Sequence, residues 1–180
     1  THFIDSLAGP LMKKKCKFHR IDGLHGHVHL QPHMRPSSIS DPPKILIRRL
    51  QGDGIHDIDE ILSIPENWLD GLDLNYADEN QVDGNPWDLT TTMSIMNGVI
   101  TQSVTLASEA VLLGIPTLLV SKARRGFLDR LVDDGYPLFI ARDADESILA
   151  AWLAGIHLTD ALEEPDWPNS RLEVLEILKD

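Results

Sequence analysis

The sequence predicts an α/β fold built on a doubly wound parallel sheet. Three observations predict it. Short, continuous apolar runs without polar alternation mark strands buried on both faces. Amphipathic stretches of helical spacing separate them. Glycines close several of those stretches where a helix C-cap belongs.

The elements follow in order from Lys44. Lys44 to Leu50 is rich in apolar and β-branched residues, and Gln51-Gly52-Asp53-Gly54 ends it in a glycine turn. Ile55, Ile58, Ile61 and Leu62 are spaced for one face of a helix after that turn. Residues 63–86 carry prolines, asparagines and acids, with a short strand expected near Leu72–Tyr76. Trp87 to Met96 predicts a helix with Asn85 or Asp88 at its start. Gly98 to Gln102 is a short buried strand, and Ser103 to Leu113 a helix turning Leu106, Ala110 and Leu113 inward. Gly114 caps that helix, and Ile115 to Val120 is the next strand. A helix from Gly126 to Asp134, a strand from Tyr136 to Ala141 and a helix from Asp145 to Ala154 continue the alternation. Ser170 to Lys179 predicts a last helix, with Leu172, Leu175 and Ile177 among its apolar positions. Right-handed crossovers make this a Rossmann-like sheet.

Residues 1–41 differ in character. They hold a lysine strip, a histidine-rich stretch and the loop-like run Arg35 to Pro43, so they are expected to form an irregular extension or a remnant of a second domain. Residues 42–180 then form the Rossmann-like domain.

Bulk properties narrow the function. A chain of 180 residues supports one sizeable core. With 42% hydrophobic and 24% charged residues it is expected to be globular, and no apolar run reaches the ~20 residues of a membrane span. The formal net charge of -12 argues against nucleic acid and anionic lipid as partners. An anionic ligand must instead be held by local dipoles and a few placed cations. Cys16 is the single cysteine, so no intrachain disulfide forms, and with no signal-peptide pattern in view a cytoplasmic location is expected. Flanking lysines would favour its thiolate, but a plain free thiol on a basic strip is the preferred reading.

Ligands of such sheets sit beyond the carboxyl ends of the strands. That rule places the loops Gln51–Asp57 and Gln102–Ser108 at the mouth of the site. The segment Met96 to Val120 resembles one block of the GT-B glycosyltransferases: a strand ending in a small polar turn (Gln102-Ser103-Val104-Thr105), a Glu109-Ala110 helix, then Gly114-Ile115-Pro116 and a second strand. The likeness extends over residues 44–155 and is specific over 97–120. It is similar to the carboxy-terminal half of MurG-like transferases and UDP-sugar 2-epimerases. The resemblance implies a nucleotide-diphosphate sugar as substrate, with no cofactor required, and a second domain or subunit carrying the acceptor site.

It also implies roles. The helix entered at Ser103 would seat the diphosphate on its amino end, with Val104 and Thr105 beside it. Glu109 would accept the ribose hydroxyls, and Gly52 and Gly54 would let the backbone approach the phosphates. Arg124 and Arg125 would neutralise the diphosphate. Two positions depart from the family pattern: Val104 stands where glycine is usual, and a basic turn, Ser121 to Gly126, replaces a polar one. Ser103 and Thr105 also fit a plain capping role. Asp53 puts a negative charge near the phosphate position, and no general base is assigned. His25, His27 and His29 alternate, so an extended segment would turn all three one way; they are candidate metal ligands, with a polar strand or loop as the alternative. A sugar-nucleotide epimerase or hydrolase, and a non-catalytic scaffold, remain open on the same fold.

Overall fold

The structure is a computed structural model that describes Gly26, Leu30 and residues 38–51, 60–78, 81–82, 88–143, 145–158 and 169–179. The chain divides into two compact units, residues 30–165 and residues 1–29 with 166–180. The expected glycine turn and helix start at 52–59, and His25, His27 and His29, lie outside the described residues.

The larger unit is a Rossmann-like α/β sheet. Its strands are β1 (Lys44–Arg48), β2 (Asp73–Asp78), β3 (Gln81–Val82), β4 (Gly98–Thr101), β5 (Thr117–Val120) and β6 (Leu138–Ala141). They lie in the order β3-β2-β1-β4-β5-β6. β2, β1, β4, β5 and β6 run parallel, while β3 pairs antiparallel with the end of β2. The helices are α1 (Leu89–Ser94), α2 (Val104–Leu112), α3 (Gly126–Asp133) and α4 (Glu146–Leu158), with a 3-10 turn at Glu66–Leu69. In the smaller unit, α5 (Ser170–Ile177) is capped by Asn169, whose Oδ1 accepts from the Leu172 N–H at 3.1 Å.

Both faces of the sheet are covered, which explains the unbroken apolar strands. On one face Ile45, Ile47, Ile100, Leu118 and Val120 pack with Trp68, Leu69, Trp152 and Ile156. The intervening positions Leu46, Val99 and Leu119 point to the other face. There α2 packs on β4 and β5, and α3 on β6. Trp152 anchors α4: it is fully buried, and its indole N–H donates to the Pro116 carbonyl at 3.0 Å. Its ring passes so close to Gly98 that a Cβ there would stand 2.9 Å from Cζ2. Glycine at the start of β4 is therefore a packing requirement.

Most expected elements appear within a few residues of their sequence limits. One expectation is corrected. Ile61 and Leu62 are not on a helix: Ile61 forms an isolated antiparallel bridge with Ser121. In α5, the apolar Leu172 and Leu175 are exposed.

Candidate functional site

Strand β1 is the switch point of the sheet. The chain leaves it toward β2 on one side, while β4 flanks it on the other. Connections leaving in opposite directions open a crevice at the carboxyl ends of β1 and β4. A cleft of about 530 Å³ lies there, lined by residues that include Arg48, Glu60, Gln102, Ser103, Thr105 and Arg125. That volume lies within the ~300–1,000 Å³ typical of small-molecule sites.

Local chemistry shapes the end of β4. Thr101 is fully buried, and its Oγ1 accepts from the Ser103 N–H at 2.9 Å, turning the chain out of the strand. Ser103 then caps α2, its Oγ accepting from the Leu106 N–H at 3.3 Å. Val104 and Thr105 are the first two helical residues, so their N–H groups have no intrahelical acceptor. Both line the cleft, Thr105 exposed and Val104 half-buried. The positive end of the α2 dipole therefore opens into the cleft.

Gln102 fastens the surroundings. It is buried at 7% exposure; its Oε1 accepts from the Leu50 N–H at 2.7 Å and its Nε2 donates to the Leu62 carbonyl at 2.6 Å. One side chain thus ties β4 to the exit of β1 and to the strap of residues 60–62. The strap is held again from β5. The Glu60 carbonyl accepts from Ser121 Oγ at 3.1 Å and from the Lys122 N–H at 2.8 Å.

The charges in the cleft differ in how they are compensated. Arg125 grips Glu60 with both terminal nitrogens, at 2.9 and 2.7 Å. The hydrogen bonds that Arg125 donates to the Glu60 carboxylate raise the guanidinium pKa above an already high value. The Arg48 guanidinium has one hydrogen-bond partner among the described residues, the Ala77 carbonyl at 3.4 Å from its Nη1. Its charge faces no carboxylate there.

Of the residues singled out from sequence, Ser103, Val104, Thr105 and Arg125 meet in this cleft. Glu109 is half-buried on α2 and is not among the cleft-lining residues; Arg124 is exposed and likewise not among them. Gly52 and Gly54 lie outside the described residues. Sequence reasoning missed Arg48 and Glu60, and it named Gln102 and Ser121 only as members of the mouth loop and the basic turn. Arg48, Gln102 and Ser121 stand at or just past the carboxyl ends of β1, β4 and β5, so the strand-end rule alone points to them. Glu60 carries no such signal, because only the tertiary strap brings it to the cleft.

Among the described residues no group of three or more His, Cys, Asp or Glu could hold a metal ion, and no helix is long and apolar enough to cross a membrane. Fold and cleft define a Rossmann-like α/β domain with an open crevice at its switch point. Comparison with protein-family models, with curated proteins and with solved structures finds no match to the chain.

Proposed function

We propose that the chain is the nucleotide-sugar-binding part of a GT-B type glycosyltransferase, seating the donor's diphosphate on the amino end of α2. The observation that carries this is the unpaired start of α2 opening into a cleft of about 530 Å³ at the sheet's switch point. The sequence resemblance over Met96 to Val120 supports the same ligand class. Arg48 adds a cation at the cleft wall. When the glycosyl bond breaks, charge grows on the leaving diphosphate. Preorganised N–H donors, the Thr105 hydroxyl and a guanidinium then stabilise it more in the transition state than in the ground state. The acceptor and its base would come from a second domain or subunit. A reducing, cytoplasmic setting suits a chain whose one cysteine is Cys16.

The test is a thermal-shift series with UDP, GDP and inorganic pyrophosphate on the native chain and on Thr105→Glu. A first-turn glutamate suits the helix dipole, so the variant folds as well as the native chain, yet it puts a carboxylate where the phosphate sits. Stabilisation of the native chain and none of the variant is the expected result. Equal shifts in both would remove α2 from the site. Val104 favours a second reading, a non-catalytic scaffold, because its side chain stands in the cleft where the family has glycine. On that reading no nucleotide shifts the native chain, and a partner protein is found instead.

A further inference from the structure

We propose that Glu60 is the specificity residue of this cleft, its carboxylate, clamped by Arg125, accepting hydrogen bonds from a sugar diol on the ligand whose phosphates lie at the start of α2. This rests on the donor-binding reading above and assigns the sugar-recognising acid within it. Glu60 lines the same cleft as Ser103, Val104 and Thr105. A carboxylate repels phosphate, so what it recognises must be the uncharged, hydrogen-bond-donating part of the ligand. Vicinal hydroxyls are that part in a nucleotide sugar.

The side chain is preorganised for the task. Its carboxylate is gripped through two Arg125 nitrogens, at 2.9 and 2.7 Å. Its backbone carbonyl is fixed independently by Ser121 and Lys122, and the neighbouring Ile61 bridges to Ser121. Little rotamer freedom is left to lose on binding. Glu109, to which the resemblance gives the ribose, is not among the cleft-lining residues.

The experiment is calorimetric titration of the full chain with inorganic pyrophosphate, UDP, 2′-deoxyuridine diphosphate and UDP-glucose. On the native chain a hydroxyl-bearing ligand should bind at least tenfold tighter than pyrophosphate. If the ribose supplies the diol, UDP exceeds its deoxy counterpart; if the transferred sugar does, those two bind alike and UDP-glucose exceeds both. Glu60→Gln keeps the size of the side chain and every backbone bond of the strap. It should cancel that preference while leaving pyrophosphate binding equal or tighter, because a negative charge has gone; Glu109→Gln should leave the preference intact.

The proposal is overturned if Glu60→Gln changes all four ligands by one factor or none of them. It is also overturned, with the anion seat left standing, if the native chain binds pyrophosphate as tightly as the sugar-bearing ligands. Native chain that binds none of the four overturns the donor-binding reading together with it. Where the variant fails to fold, a native chain without the preference still overturns the proposal.

Discussion

Strand β4 carries a buried carboxamide at each end, and the two ends of the sheet differ sharply around them. At the amino end, Asn97 closes everything. Its Oδ1 accepts from Ser40 N at 3.3 Å, Ser40 Oγ at 2.6 Å and Lys44 N at 2.9 Å. Its own N–H also donates, to the Lys44 carbonyl at 2.8 Å. At the carboxyl end Gln102 ties Leu50 and Leu62 in the same manner. Yet just beyond it the first two N–H groups of α2 and the Arg48 guanidinium are left facing a cleft. A buried polar group without a partner is costly, so the closed end serves stability. The open end turns the first N–H groups of α2, which have no intrahelical acceptor, into a hollow that a ligand can enter.

That contrast can be broken from either side. Asn97→Ala should have the largest effect on stability. It removes the three hydrogen bonds that Asn97 Oδ1 accepts from Ser40 and Lys44, at about 1 kcal/mol each and so about 3 kcal/mol in all, or a fall in Tm of roughly 6–12 °C. Denaturant melts would show this, with ligand preference unchanged. Gln102→Ala should cost somewhat less, about 2 kcal/mol, and unlike Asn97→Ala it should also weaken nucleotide binding, because Leu50 and the strap are released together. Gly98→Ala should cost on the order of 1–3 kcal/mol by overpacking, since the new Cβ meets Trp152 at 2.9 Å. Indole fluorescence of the variant should change while ligand affinity holds.

The smallest expected effect is alkaline. Burial raises the Tyr136 pKa, with the Asp134 carboxylate adding to it and Arg130 opposing. The native state therefore holds that proton more tightly than the unfolded chain. The contribution is complete below the ordinary phenol pKa of about 10 and fades as pH climbs through the raised value. A Tyr136→Phe variant should show a shallower stability loss above about pH 10.

Much of this was legible in the sequence because its signals are local. Gly98 to Val120 gave strand, cap, helix and strand in the right places: Ser103 caps α2 through its own hydroxyl, and Gly114 follows with φ at 76°. Other features depend on distant residues. The spacing of Ile55, Ile58, Ile61 and Leu62 suits a helix, but pairing of Ile61 with Ser121 and the grip of Gln102 on Leu62 hold the strap extended. The edge strand β3 has two residues and is defined only by its pairing to Ala77 and Asp78. Leu172 and Leu175 have the composition of a packed face, yet they are 54% and 46% exposed. In the site, the start of α2 was readable from capping chemistry, whereas Glu60 was not, since it enters through the strap.

The central claim is that the amino end of α2 receives an anion. Amide chemical shifts of 15N-labelled protein, titrated with UDP, test it residue by residue. The N–H signals of Val104 and Thr105 should move first and furthest, while those of Ser40 and Lys44, already bonded to Asn97, stay in place. Saturating UDP that leaves Val104 and Thr105 unmoved, or that perturbs only the Asn97 end of the sheet, would contradict the account.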